Sequence, residues 1–174
     1  MMGGMRSIVL IGHNLRSCHN VGSLLRTAEG LGVEAVWLTG YTPCPIAPDD
    51  QRFPHERLKI DKQITKTALG AQQTVNWSYR QDVSAVIAML KQDNYVIAAI
   101  EQAPQAIQLP HYSPPQKIAL VVGREVEGIE PEVLAQCDTA LGIPMFGQKE
   151  SFNVVQAAAM VLYHCRFFAV SLAK

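Results

Sequence analysis

The stretch that decides the fold runs from Lys117 to Val170 and reads KIALVVGREVEGIEPEVLAQCDTALGIPMFGQKESFNVVQAAAMVLYHCRFFAV. It begins with an apolar strand that ends at Gly123, continues through a turn carrying Glu125 and Gly128 into a short helix, and returns in a second strand that closes on Gly142. A polar loop and a long apolar helix follow. Glycine-bearing turns beyond strand ends, followed by a helix N-terminus, let backbone groups approach a ligand closely. The stretch therefore predicts a ligand pocket.

The familiar nucleotide-binding loops do not account for this pocket. Gly123 and Gly128 lack the GxGxxG spacing, and the chain contains no GxxxxGK[ST] sequence. An ordinary flavodoxin-like nucleotide or flavin protein is therefore disfavoured.

Apolar runs elsewhere in the chain predict the remaining strands. We expect strands at 8–12, 35–40, 74–79, 95–101, 117–123 and 139–143, with helices between most of them. Alternating strands and helices with nearly continuous apolar strands indicate an α/β fold, in which a mostly parallel sheet carries helices on both faces. Ligands of such sheets bind beyond the carboxyl ends of the strands.

The first helix follows the first strand and has an apolar back formed by Val21 and its helical neighbours. Asn20 is placed to cap its start. Arg26 lies nearly opposite the apolar stripe, on the same side as Gly22 and Ser23. By composition alone, Arg26 is a solvated surface arginine and Asn20 only a helix cap.

The segment 41–58 contains four prolines and is predicted to hold no regular structure, and 104–115 reads as a surface linker. Basic residues cluster from 52 to 66. They are Arg52, Arg57, Lys59, Lys62 and Lys66. This cluster is the best candidate for phosphate contacts, although a solvated charged face has the same composition.

Length and composition limit the class of protein. With 174 residues, 48% of them hydrophobic, and a formal net charge of zero, the chain is expected to form one globular domain that does not grip nucleic acid by bulk charge. The four cysteines form no C-x-x-C pair, so neither a metal site nor a disulfide framework is expected. No membrane span or secretory signal is recognisable, so we expect a cytoplasmic protein.

Four sequence motifs together resemble a known family. Near the N-terminus stands Asn14-x-Arg16-x-x-x-Asn20-x-Gly22-x-x-x-Arg26-x-Ala28, and toward the C-terminus stand GREVEGI, GIPMFG and SFNVVQAA in that order. This series resembles the SpoU (TrmH-like) branch of the SPOUT RNA methyltransferases and covers nearly the whole chain. The resemblance implies an α/β-knot fold with a C-terminal deep trefoil knot, and a homodimer. Because 174 residues leave no room for the separate RNA-binding domain that some members carry, we expect a single domain over 1–174.

The resemblance also implies S-adenosyl-L-methionine as cofactor, bound with its adenine among apolar side chains. The positions that it implies for the cofactor are Ile100, Gly123, Ile143, Met145, Ser151, Phe152 and Asn153. The family usually has leucine where this chain has Phe152, which bears on the shape of the adenine slot.

The catalytic residues that the resemblance implies are Arg26, Asn20, Glu125, Ser151 and Asn153. Arg26 would bind the neighbouring RNA phosphate and stabilise the developing alkoxide, or would act as the base; because a guanidinium gives up its proton only with great difficulty, the first role is favoured. Asn20 and Glu125 would orient it, with Glu125 as its carboxylate partner.

The implied function is transfer of a methyl group to a ribose 2′-hydroxyl of RNA, with tRNA preferred over rRNA as substrate. Arg16, Arg52, Arg57, Lys62 and Lys66 are the candidate RNA contacts. The alternative is a non-catalytic factor of the same fold that binds the cofactor and RNA; the full set of catalytic-type residues speaks against it.

Overall fold

The computed structural model describes residues 5–48 and 50–168. The strands are β1 (Ser7–His13), β2 (Ala35–Thr39), β3 (Trp77–Arg80), β4 (Val96–Ile100), β5 (Ile107–Gln108), β6 (Lys117–Val122) and β7 (Thr139–Gly142). The helices are α1 (Cys18–Gly30), α2 (Pro54–Ala68), α3 (Ala71–Thr74), α4 (Val83–Gln92), α5 (Pro131–Leu134) and α6 (Val154–Phe167).

All seven strands form one sheet in the order β3-β2-β1-β6-β4-β7-β5, and every neighbouring pair is parallel. The predicted parallel α/β sheet is thereby confirmed. Its central strands read as continuous apolar runs because both of their faces are covered. The carboxyl ends of β6, β4 and β7 lie side by side, which brings the turn after Val122, the segment after Ile100 and the loop after Gly142 to one edge.

Helices cover both faces of the sheet, as expected. On one face, buried side chains of α1, α2 and α6, among them Leu24, Ile64 and Leu162, pack against even-numbered positions of β1 and β6. On the other face, Ile87 of α4 and Val133 of α5 pack against the alternate positions. Period-two alternation of strand side chains thus divides the core between the two layers.

Helix α1 differs in two details from the prediction. Its N-cap is Ser17, whose hydroxyl accepts a hydrogen bond from the Asn20 backbone N–H at 3.2 Å, so the Asn20 side chain is free for another contact. Gly22 does not lie on an open face with Arg26. It is buried against α2, where an added Cβ would lie 2.2 Å from both the Ile64 carbonyl oxygen and the Thr67 hydroxyl oxygen.

The prediction that the segment 41–58 holds no regular structure was wrong from residue 54 onward, because Pro54 begins α2. Proline suits the first turn of a helix, where its missing N–H has no intrahelical partner. Ile60, Ile64 and Ala68 recur at helical spacing and face the core, a signal that the prolines obscured. The expected strand at 74–79 begins later, at Trp77, and the predicted linker at 104–115 contains β5 and a 3-10 turn.

Helix α6 was expected to be apolar all round and covered on several sides. Its fully buried residues include Val161, Leu162 and Cys165. In the single chain, by contrast, the exposed fractions of Tyr163 and Phe167 are 60% and 62%. None of the helices among the described residues is long and apolar enough to cross a membrane. The deep trefoil knot stays a prediction, because strand order alone does not define how α6 passes the loops.

Candidate active site

A cavity of about 240 Å³ lies beyond the carboxyl ends of β4, β6 and β7. Its lining comes from the segment after β4, the turn after β6, and the loop between β7 and α6. The lining residues are Ile100, Glu101, Gln102, Val122 to Gly128, Leu141, Ile143, Glu150, Ser151, Phe152, Val154 and Ala157. Apolar side chains form the floor, and four carboxylates against one arginine make the wall acidic.

The turn after β6 is closed by a backbone bridge in which Arg124 and Gly128 exchange two hydrogen bonds, at 3.2 and 3.1 Å. Gly128 has φ of +73°, a conformation that favours glycine. The turn folds back onto Gly123 so closely that a Cβ there would lie 2.6 Å from Ile129 Cγ1 and 2.9 Å from the Gly128 carbonyl. The two glycines of the GREVEG motif therefore keep this wall of the cavity thin.

Glu125 ties this turn to the start of α1. Its Oε1 accepts hydrogen bonds from the Ser17 backbone N–H at 3.1 Å and from Asn20 Nδ2 at 3.0 Å, and its Oε2 accepts one from the Arg16 backbone N–H at 3.2 Å. Partial burial opposes ionisation, but the hydrogen bonds from Asn20 and the backbone outweigh it and lower the pKa of Glu125. The N-terminal motif and the GREVEGI motif thus form one unit around this carboxylate.

The SFN segment joins the same unit from the other side. Asn153 caps α6 by accepting a hydrogen bond from the Val155 N–H at 2.9 Å, and its Nδ2 donates to Asn20 Oδ1 at 3.4 Å. Asn20 therefore links Glu125 to Asn153. Of the five predicted catalytic residues, Asn20, Glu125, Ser151 and Asn153 lie at or beside the cavity.

Arg26 does not join them. It is exposed and does not line the cavity. Within one chain, Glu125 accepts hydrogen bonds from residues 16, 17 and 20, and the described residues show no contact between it and Arg26, so the pairing of Arg26 with Glu125 stays a prediction. The physical reason for this separation is the helix period, since six residues beyond Asn20 place Arg26 on a different side of α1 and nearly two turns away.

The predicted cofactor positions separate into two groups. Ile100, Gly123, Ile143, Ser151 and Phe152 line the cavity, whereas Met145 and Asn153 do not. Two lining residues outside the predicted site set are Glu101 and Gln102. The sequence feature that could have identified them is their position directly after β4, at the edge of the sheet where the motifs converge.

A second polar group lies next to the cavity and was also missed. Buried His13, at the end of β1, bonds Thr39 Oγ1 through Nδ1 at 2.8 Å, and Asn14 Nδ2 donates to Glu130 Oε1 at 2.7 Å. Burial lowers the pKa of His13 although Glu130 opposes this shift. These contacts reinforce the attachment of the loop after β1 to the turn after β6.

The basic residues divide by what they contact. Arg16 pairs with Glu127 at 2.7 Å, and Arg52 pairs with Asp50 and donates to the Cys44 and Pro45 carbonyl oxygens, so it fixes its own loop. Arg57 donates weakly to the Asp50 carbonyl, at 3.4 Å. The basic cluster is helical from residue 54, and its exposed members on α2 are Lys59, Lys62 and Lys66. Within the described ranges, no group of three potential ligands could hold a metal ion.

Fold and site together define an α/β domain with a cofactor-type cavity at the strand ends, organised by a glycine turn and a helix-capping asparagine. The model of the SpoU rRNA methylase family matches residues 7–163. The chain belongs to this family.

Curated relatives carry the same kind of domain. The chain is 31% identical over 159 residues to the 23S rRNA (guanosine-2′-O-)-methyltransferase RlmB of Neisseria meningitidis, covering 91% of this chain and 58% of the relative. It is 35% identical over 144 residues to the tRNA (guanosine(18)-2′-O)-methyltransferase of Borreliella burgdorferi, covering 83% and 59%. The chain thus spans somewhat over half the length of these relatives.

Solved structures share the fold. An AdoMet-bound rRNA methyltransferase from Sinorhizobium meliloti aligns with a TM-score of 0.78 at 17% identity, covering 95% of this chain and 58% of that one. The TrmH/SpoU tRNA-modifying enzyme of A. aeolicus aligns with a TM-score of 0.75 at 19% identity, covering 92% and 74%. The SpoU-type architecture predicted from the motifs is confirmed.

Proposed function

We propose that the protein is an S-adenosyl-L-methionine-dependent RNA methyltransferase that transfers a methyl group to a ribose 2′-hydroxyl. The observation that carries this proposal is the contact of three distant motifs at one place: Asn20 bonds both Glu125 and Asn153 beside the strand-end cavity. Family membership and relatives that are 2′-O-methyltransferases give the reaction class.

The cavity suits the cofactor chemically. Ile143, Phe152 and Leu141 offer apolar surface for an adenine, and the close-packed turn at Gly123 brings backbone groups within reach of it. Carboxylates outnumber Arg124 on the wall even though Glu127 pairs with Arg16, because Glu101, Glu125 and Glu150 also line it, and this excess favours a ligand bearing a sulfonium and an ammonium group. The bound cofactor would supply the electrophilic methyl carbon.

Arg26 is the proposed positioning and charge-stabilising group at the acceptor ribose. The guanidinium would hold the RNA phosphate beside the reacting sugar and stabilise the developing alkoxide, and alignment of the hydroxyl with the methyl would supply much of the acceleration. Because Arg26 lies outside the cavity of its own chain, the proposal places it in the cavity of a second copy.

A homodimer is therefore part of the proposal. The exposed face of α6, formed by Ala159, Met160, Tyr163 and Phe167, adjoins Leu109 and Pro110 and offers an apolar surface that a second copy would cover. Mixing two inactive variants, Arg26→Ala and Asn153→Ala, tests this arrangement. Mixed dimers with one intact site would restore about a quarter of wild-type activity. No recovery, despite a demonstrated exchange of subunits, would place Arg26 in its own chain's site.

RNA contacts are proposed on the outer face of α2. Lys59, Lys62 and Lys66 recur at helical spacing and are exposed, so a phosphate backbone could follow them. Reversing Lys62 and Lys66 to glutamate would weaken RNA binding and reduce its salt dependence, while cofactor binding would stay unchanged.

We propose tRNA as the first substrate to test. The relative from Borreliella burgdorferi, at 35% identity, modifies tRNA, while several relatives near 30% identity modify 23S rRNA, which makes rRNA the second candidate. Mass-spectrometric nucleoside mapping of RNA from cells with and without the gene decides between them. Loss of one 2′-O-methyl mark supports the proposal and names the RNA, and no change in any RNA would favour the non-catalytic factor.

A further inference from the structure

The segment after β4 is placed to reach both walls of the cavity. β4 lies between β6 and β7 in the sheet, with Ala99 beside Val121 and Ile100 beside Leu141. The chain leaves the sheet at Glu101 and Gln102, so these two side chains lie between the turn after β6 and the loop after β7.

Glu101 binds the turn after β6. Its Oε2 accepts a hydrogen bond from the Ile129 backbone N–H at 2.9 Å, and its Oε1 accepts one from the Gln102 backbone N–H at 3.0 Å. Both carboxylate oxygens are thus engaged by backbone groups. The carboxylate fixes the far end of the turn that carries Glu125.

Gln102 binds the opposite wall. Its Nε2 donates to the Ile143 carbonyl oxygen at 2.6 Å, at the point where the chain leaves β7. Ile143 is one of the apolar residues of the cavity and one of the predicted cofactor positions. The Gln102 side chain therefore sets where this wall begins.

A glycine lies at each of these contacts. A Cβ on Gly128 would lie 2.4 Å from Glu101 Oε2, and a Cβ on Gly142 would lie 3.2 Å from Gln102 Oε1 and 2.9 Å from Gln108 Nε2. Any larger residue at Gly128 would displace the Glu101 carboxylate. The glycines of both motifs are thus fitted to the Glu101–Gln102 pair as well as to the cavity.

We infer that Glu101 and Gln102 are positioning residues for the cofactor: they hold the two cavity walls at the separation that binding requires. This inference rests on the proposed function for the identity of the cofactor. Neither residue acts on the methyl group, so their loss should weaken cofactor binding while leaving the RNA interaction and the chemical step intact.

Calorimetry with S-adenosylmethionine on the full chain comes first, and turnover kinetics with the RNA identified by nucleoside mapping follow. Glu101→Ala should raise the cofactor Kd and KM about tenfold, since both hydrogen bonds to the charged carboxylate are lost, including the one that holds the turn after β6. Glu101→Gln keeps one acceptor and should fall between wild type and alanine. Gln102→Ala should also raise the cofactor KM, and kcat at saturating cofactor and the RNA KM should stay within about twofold. Glu132→Gln, at an exposed position of α5, is the matched control.

The variant Gly128→Ala distinguishes the effect of the position of the Glu101 carboxylate from the effect of its charge. It leaves the Glu101 charge in place but displaces the carboxylate, so it should weaken cofactor binding as Glu101→Ala does. Adding Glu101→Ala to this variant should weaken cofactor binding little further, because both substitutions remove the same contact. Full additivity of the two losses, or cofactor binding by Glu101→Ala and Gln102→Ala within twofold of wild type, would overturn the inference. If wild type itself fails to bind S-adenosylmethionine, the proposed function fails instead.

Discussion

The packing of α1 on α2 gives the sharpest stability prediction, because two glycines of one helix should respond in opposite ways. At Gly22 an added Cβ would lie 2.2 Å from the Ile64 carbonyl oxygen and the Thr67 hydroxyl, and 3.0 Å from the Ala68 nitrogen, whereas at Gly30 nothing lies within 4 Å. Relief of the first contact requires α2 to move by about 1 Å, since unstrained carbon contacts are near 3.5 Å.

The two effects of Gly22→Ala differ in size. Overpacking costs about 1–3 kcal/mol and can cost more, while replacing glycine by alanine inside a helix contributes about 0.5–1 kcal/mol. Against a backbone oxygen the first effect wins, so we expect a net loss of about 1–2 kcal/mol, or about 2–8 °C in Tm for a chain of this length. Gly30→Ala should be neutral or stabilising by about 0.5 kcal/mol.

Urea unfolding of both variants measures the difference. Thr67→Ala in the Gly22→Ala background should recover only part of the loss, because the Ile64 carbonyl oxygen remains in place and the Thr67 bond to the His19 carbonyl, at 2.8 Å, is removed. Equal stability of Gly22→Ala and Gly30→Ala would refute the close approach of α1 and α2.

Three further predictions concern charged residues. Glu125→Gln should destabilise the fold by about 1–2 kcal/mol at neutral pH through lost charge-assisted bonds. The pKa of Glu125 is lower in the folded protein than in the unfolded chain, where it is about 4.3. The stabilisation is therefore present above the unfolded pKa and is lost as pH falls through the folded pKa. Unfolding curves of the variant and wild type should converge in acid. Arg26→Lys should reduce methylation about tenfold or more without changing Tm, since a point charge does not reproduce the guanidinium fork; near-normal turnover contradicts that role. Arg52→Ala should lower Tm but weaken RNA binding less than reversal of Lys62 and Lys66, as filter binding across salt concentrations would reveal.

Local patterns predicted most of the architecture. The apolar runs of β1, β4 and β6 are uninterrupted, and such runs are typical of strands in a parallel sheet that is covered on both faces. The first turn of helix α2 was missed because proline was taken to exclude regular structure there. β5 has only two residues, too few for any period to be recognised.

The site was predictable only in part, for a different reason. The motif residues Asn20, Glu125 and Asn153 do meet, yet the partner assigned to Arg26 depended on which side of α1 faces the turn. Spacing places Arg26 on a helix face but does not identify what that face meets. The position of Glu101 and Gln102 after β4 places them at the sheet edge, but their hydrogen bonds to backbone groups of other segments leave no trace in a single sequence.

The most direct test of the proposed reaction uses purified protein, unmodified RNA and S-adenosylmethionine carrying an isotopically labelled methyl group. After digestion to nucleosides, mass spectrometry should find the label on ribose in a single 2′-O-methyl nucleoside, and Asn153→Ala should abolish it. Label on a base, or none on any RNA from protein that binds the cofactor, would contradict the account.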